Sequence, residues 1–283
     1  MNILTFDIEE WFHILDNDST KTEKEWANYE SRIHRNMDKI FQILDDHDVK
    51  ATFFCLGWVA KKYPEIIKKI DALGYEIGTH SNMHQLVYEM TPNKYEEDLK
   101  TSIFEIEDII GKKVKYYRAP GFSIKAGNLW ALESLYKYGI TVDSSIFPAN
   151  RAHGGISNFS ESKPCIVSYN GFDIKEFPIN TMNFFGNRMI FSGGGYFRFF
   201  PYSLIHHESK KASYIMTYFH PRDFDSGQPL LNGLSRVRKF KSYYGLSKCE
   251  PKLRRWLSNF EFIDLSSAIK QVNWLDVKKI DLN

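Results

Sequence analysis

The chain has 283 residues, 43% hydrophobic and 25% charged, with a formal net charge of +2. That length and balance suit one large domain or two small ones with a real core, and they exclude a disordered chain and a dominant nucleic-acid field. Three widely spaced cysteines (Cys55, Cys165, Cys249), with no C-x-x-C pair, argue against a cysteine zinc site and a disulfide framework.

The opening MNILTFDIEEWF carries three acids and neither a basic nor a long apolar leader region, and no stretch approaches the ~20 apolar residues of a membrane span. A soluble, cytoplasmic setting is the expectation. Asn2–Phe6 reads as a strand ending at Asp7. Residues 31–47 read as a helix, with Ile33, Met37, Ile40, Phe41 and Leu44 on one stripe. VKATFFCLG (49–57) is a buried strand, followed by a helix over 58–72 closed by Gly74. YEIGTH (75–80) is a strand. Thr91-Pro92 opens the next helix, as N-cap and first helical residue, and Gly111 closes it.

VKYYRAP (114–120) is a strand, 127–138 a helix, and ITVDSS (140–145) the strand after Gly139. Strand and helix repeated at this length predict a parallel sheet closing into a barrel. The order then breaks. CIVSY-NG-FDIKEF (165–177) is a hairpin, because Asn170-Gly171 favours a type I′ turn. A helix follows Pro201, and YIMTYF (214–219) is a strand ending at His220. Residues 1–225 are expected to form the barrel, with 226–283 as a helical extension packed on it.

Asp7, His80, Arg118, Asp143 and His220 each fall at or just past the C-terminal end of a predicted strand, where parallel α/β folds build their sites. His80 and His84 in THSNMH would face the same way on a helical turn and hold a divalent ion with a third, carboxylate ligand. The bland reading is a loop with two solvated histidines. In DIEEW, strand alternation puts Asp7 and Glu9 on one face, so one could ligate and the other act as base. Each residue also has an ordinary reading: Arg118 as a surface ion pair, Asp143 as an N-cap, His220 as a core histidine.

Taken together, DIEE (7–10), HSNMH (80–84), RAPGF (118–122), VDSS (142–145) and YFHP (218–221) resemble the polysaccharide deacetylase family, the NodB-homology fold of carbohydrate esterase family four. The motifs occur in the family's order across about three quarters of the chain. DIEEWF, YFHP and the Arg-rich C-terminal part look most like the subgroup of bacterial exopolysaccharide gene clusters. The resemblance implies a distorted (β/α) barrel with an inserted hairpin, and a metal-dependent hydrolase removing acetyl from an N-acetylated sugar.

By that resemblance Glu9, His80 and His84 would hold the metal, Zn²⁺ first among candidates. Asp7 would be the base, Arg118 its partner, His220 the acid, Asp143 the residue orienting His220, and Gly121 a backbone oxyanion donor. The family's commoner opening has two adjacent aspartates; here Ile8 takes the second place, leaving Glu9 or Glu10 as ligand. The substrate would be an oligosaccharide, lipid-linked or nucleotide-linked sugar. Rival readings are hydrolysis of another amide, such as a formamido sugar or ureide, and a silent carbohydrate-binding barrel.

Two further stretches are suggestive. Residues 184–202 combine aromatics with Gly193-Gly194-Gly195 and suit a flexible rim over a sugar groove, or an ordinary stretch with most of its rings in the core. Residues 236–255 hold eight basic residues against one acid, a pattern suited to an anionic membrane surface or a pyrophosphate-linked sugar, or to an ordinary solvated face.

Overall fold

The structure, a computed structural model, describes residues 1–15, 17–149 and 153–283. Two short strands, β1 (Asn2–Ile3) and β2 (Thr5–Ile8), open the chain. Helices α1 (Glu23–Trp26) and α2 (Ile33–Asp46) lead to β3 (Thr52–Cys55), and α3 (Gly57–Lys62) and α4 (Pro64–Ala72) lead to β4 (Glu76–Thr79). Helix α5 (Pro92–Ile110) precedes β5 (Tyr116–Tyr117), and α6 (Trp130–Lys137) precedes β6 (Val142–Asp143). Strands β2 to β6 pair in sequence order, all parallel. Every residue of β2 and β3 is buried, as in strands covered on both faces.

Local chemistry explains most boundaries. Ile33, Met37, Ile40, Phe41 and Leu44 form the buried stripe of α2. Thr91 caps α5 by accepting from Lys94 N, Pro92 needs no N–H there, and Gly111 ends it at φ +65°. The helix expected over 58–72 is instead two, broken at Tyr63-Pro64, because proline has no N–H for the ladder and pushes the preceding residue from helical geometry.

β7 (Cys165–Tyr169) and β8 (Phe172–Glu176) form the expected hairpin, with Asn170 and Gly171 at φ +47° and +81°, and β8 joins β6 in parallel. A ribbon of β9 (Met182–Phe184) and β10 (Asn187–Met189) follows, then α7 (Gly194–Phe199) and α8 (Tyr202–Lys211). β11 (Ile215–Met216) pairs in parallel with β1, and beyond it Phe219 bridges to Phe6, so this segment borders β2 on the side away from β3. Among the described residues no backbone ladder joins β8 to β11. A side chain spans that seam: Asn180 Oδ1 accepts from Met216 N at 2.9 Å and from Ser192 Oγ at 3.2 Å. This is the distortion in the (β/α) barrel.

The C-terminal part comprises α9 (Arg236–Tyr243), α10 (Leu246–Leu257), α11 (Leu265–Gln271) and β12 (Lys279–Asp281). It is not wholly helical, since β12 extends the main sheet by pairing with β7. Leu253 and Trp256 of α10 belong to the same core as Phe6 and Phe219, and Leu4 N donates to Ile263 O at 3.0 Å. Residues 226–283 therefore share the barrel's core.

Candidate metal and acid–base site

The ends of the parallel strands bring the polar residues to one cavity of about 590 Å³. Asp7 and Glu9 come from the end of β2, His80 follows β4, and His220 follows the β11 segment; all four line it with His84. Arg118, at the end of β5, lies behind them, fully buried.

The H-x-x-x-H pair does not sit on a helical turn, as the spacing suggested. Residues 80–86 form a tight turn with Ser81 at φ +73° and His84 at φ +53°. Ser81 Oγ accepts from His84 N at 3.1 Å, and Asp98 accepts from the N–H groups of Asn82 and Met83 at 2.8 and 3.0 Å. These bonds satisfy backbone donors that a helix would have paired internally, and they bring the rings to 5.5 Å between centroids.

His80 Nδ1 lies 2.7 Å from the carbonyl of Arg118. A carbonyl only accepts, so Nδ1 carries the proton and Nε2 keeps a free lone pair. Burial lowers the His80 pKa to about 4, so the ring is neutral. Burial opposes ionisation of Glu9, but His84 and His220 prevail and bring its pKa to about 2. One ligand atom from each of Glu9, His80 and His84 lies within 4.8 Å of the others. His84 Nε2 and Glu9 Oε2 face each other at 2.7 Å, so a cation would displace the proton between them. Two imidazoles and a carboxylate fit a divalent ion, Zn²⁺ included.

Glu10 is differently engaged. Its carboxylate accepts from Ser31 Oγ and from the N–H groups of Arg32 and Ile33, which starts α2. Of the two candidate acids, Glu9 stands with the histidines.

Arg118 Nη1 donates to Asp7 Oδ1 at 2.8 Å, while its other donors reach Thr5 Oγ1 and the Ser144 hydroxyl and carbonyl. The guanidinium lies over the Phe54 ring at 4.3 Å, so Asp7 is held from behind by a cation that cannot rotate. His220 Nε2 points to the other side of the same acid, 3.9 Å from Asp7 Oδ2 and 3.9 Å from Glu9 Oε1.

Asp143 does not orient His220. Its carboxylate accepts from Ser145 Oγ at 2.5 Å and pairs with Glu176, and burial raises its pKa to about 6. The residue on His220 is Asp223, whose Oδ2 is 3.1 Å from His220 Nδ1 and accepts the His220 N–H at 2.9 Å. Asp223 is held in turn by Arg198 at 3.0 Å. Burial disfavours the imidazolium, but Asp223, Glu9 and Asp7 outweigh it and raise the His220 pKa to about 9. The signal was in the sequence: His-Pro-x-Asp is a capping pattern that returns an acid to the histidine three residues before it.

His13 is a further residue that the spacing argument missed. It is buried, lines the cavity and accepts from Glu10 N through Nδ1, so its proton is on Nε2, which has no hydrogen-bond partner among the described residues. Gly121 lines the cavity at φ +61°. The glycine triplet is tightly packed, not a flexible rim: a Cβ on Gly193 would meet Tyr218 O at 2.0 Å. Phe191, Phe197 and Phe200 of the aromatic stretch are core, whereas Phe185 and Phe199 are exposed. In the basic stretch Arg238 donates to Leu15 O, Lys252 to three carbonyls at the end of α7, and Arg254 to Asp46 and Glu250. Arg236, Lys239, Lys241 and Lys248 are exposed.

Residues 16–140 match the family model "Polysaccharide deacetylase", and residues 144–270 match "Domain of unknown function (DUF3473)". A peptidoglycan-N-acetylglucosamine deacetylase of Bacillus cereus is 34% identical over 82 residues, 29% of this chain and 30% of that protein. A chitooligosaccharide deacetylase of Azorhizobium caulinodans is 32% identical over 29% of this chain and 39% of its own. The chain spans about a third of the length of the curated relatives it matches. A Mycobacterium smegmatis structure assigned as a polysaccharide deacetylase superposes with TM-score 0.65 at 17% identity, covering 97% of this chain and 90% of that one. No helix among the described residues is long and apolar enough to cross a membrane. The family match and the motif order agree: residues 16–140 carry a polysaccharide deacetylase domain of the NodB-homology, carbohydrate esterase family four type, and the fold of the whole chain is like that of a structure assigned to that family.

Proposed function

We propose that the protein hydrolyses the acetamide of an N-acetylated sugar with the aid of a divalent ion held by Glu9, His80 and His84. The observation that carries this reading is the juxtaposition of that donor set with Asp7 on one side and a cationic His220 on the other. When bound, the ion would supply Lewis acidity to the acetyl carbonyl and acidify water. Asp7, held by Arg118, takes a proton from the water as its oxygen bonds to the acetyl carbon. His220 Nε2 gives its proton to the amide nitrogen as the C–N bond breaks, releasing acetate and the amine. Asp223 keeps that imidazole charged and aimed, and the backbone N–H near Gly121, which lines the cavity, would meet the developing oxyanion.

Relatives named for peptidoglycan N-acetylglucosamine and for chitooligosaccharides favour an N-acetyl over another amide. We place the reaction in bacterial polysaccharide or glycoconjugate synthesis and in the cytoplasm, a setting that suits three buried free cysteines. The test is acetate release from N-acetylhexosamine oligomers, nucleotide sugars and lipid-linked sugars, before and after chelation and Zn²⁺ return. Release that stops on chelation and recovers with the metal supports the reading. Sugar binding with no release on any substrate would leave a silent carbohydrate-binding barrel.

A further inference from the structure

The cavity that holds Asp7, Glu9 and His220 has an outer wall that hydrolysis of an acetamide does not require. Phe199 of α7, Phe240 of α9 and Tyr244 just beyond it line that wall, with 51%, 50% and 42% of their surfaces exposed. They pack on one another, with centroids 6.2 Å apart for Phe199–Phe240, 5.9 Å for Phe199–Tyr244 and 4.7 Å for Phe240–Tyr244. Three large rings left half in water along one cleft are costly unless something covers them. Lys241 lines the same wall, is exposed, and its ammonium has no hydrogen-bond partner among the described residues.

This wall is preorganised. Arg198 donates to the carbonyls of Lys241, Ser242 and Tyr244 at 3.1, 3.2 and 2.7 Å, fixing the end of α9. The same guanidinium pairs with Asp223, the partner of His220. One buried arginine thus ties the aromatic wall to the acid of the proposed reaction, so a ligand on the wall is held in register with the cleavage point. Such rigidity reduces the entropy lost on binding.

We propose that Phe199, Phe240 and Tyr244, with Lys241 beside them, form a saccharide-binding platform for an N-acetylated substrate bearing an anionic group. The apolar faces of sugar rings would cover the aromatics, and Lys241 would meet a carboxylate or phosphate. The proposal rests on the deacetylase reading for the position of the acetamide, but its test is a binding measurement that needs no turnover. A membrane surface fits less well, because these rings line a concave wall and half of the basic stretch around them is spent: three cations on protein acceptors and Arg255 over the Tyr202 ring.

The test is calorimetric titration of the full chain with three probes: a neutral N-acetylglucosamine hexamer, a hyaluronan hexamer (acidic on alternate sugars) and UDP-N-acetylglucosamine. Phe240→Ala and Tyr244→Ala should weaken both hexamers about tenfold, a loss on the order of 1.4 kcal/mol. Lys241→Gln, a surface substitution that leaves folding intact, should weaken the acidic hexamer about tenfold and the neutral one less than twofold. A larger Lys241 effect on the nucleotide sugar than on hyaluronan would identify the anion as a diphosphate, and the reverse a carboxylate. Equal affinities for parent and variants, or no binding of any probe at millimolar concentration, would overturn the proposal. So would Lys241-dependent co-sedimentation with phosphatidylglycerol vesicles in a protein that binds none of the sugars. Failure to release acetate, with this binding pattern intact, would count against the deacetylase reading alone.

Discussion

His220 Nε2 and Asp7 Oδ2 stand 3.9 Å apart, too far for a hydrogen bond and close enough to share a substrate. Each is fixed from outside the gap, Asp7 by Arg118 at 2.8 Å and His220 by Asp223 at 3.1 Å. Two carboxylates at similar depth thus serve different ends: Asp7 faces the cavity, and Asp223 serves the histidine.

The ligand assignment predicts a contrast between neighbouring acids. Glu9→Gln should lose most bound divalent metal. Glu10→Ala should keep the metal but lose roughly 1–2 kcal/mol of stability, because Glu10 accepts from the first N–H groups of α2. Elemental analysis and thermal melts check both. Metal loss in Glu10→Ala with none in Glu9→Gln would reverse the assignment.

Asp223 should be visible in the pH dependence of stability in metal-stripped protein. The His220 pKa rises from 6.5 to about 9 in the fold, so its contribution is full below pH 6.5 and lost as pH rises through about 9. The difference corresponds to about 3 kcal/mol at most. Asp223→Asn should lower the melting temperature at pH 6 to 7 and flatten its decline toward about pH 9. An unchanged decline in the variant would mean that another group carries it.

The buried pair of Asp143 and Glu176 should act in the same direction, but at lower pH. Burial and the neighbouring Asp143 hold the Glu176 pKa well above 4.5, so the folded state keeps a proton that the unfolded state releases. Stability from this pair should therefore fall as pH rises above the unfolded value. Glu176→Gln keeps a hydrogen-bonding partner for Asp143 and removes one ionisation, so its stability should fall less between about pH 5 and 7. Parallel melting curves for parent and variant across that range would contradict the shared proton.

Much of this was readable from local chemistry. Thr91-Pro92 and Gly111 bound α5, Asn170-Gly171 turn the hairpin, and alternation along DIEE turns Asp7 and Glu9 to one side. What could not be read depended on contacts distant in sequence. The THSNMH turn is held by Asp98, and β12 finds β7 more than a hundred residues away. Asp143 stood at a strand end as expected, but strand ends give a face, not a partner. The acid on His220 came from the short helix that its own Pro221 starts.

The most direct test compares Asp7→Asn and His220→Ala on an N-acetyl sugar and on an activated aryl acetate, with metal content checked in both. Neither residue is a proposed ligand, so both variants should retain the metal. Asp7→Asn should lose on the order of 10²–10⁴-fold in kcat on both substrates, since both need water deprotonated. His220→Ala should lose a similar factor on the amide alone, because an aryl acetate departs without a proton. Equal losses on both substrates for His220→Ala, or full amide activity without it, would contradict its role as the acid.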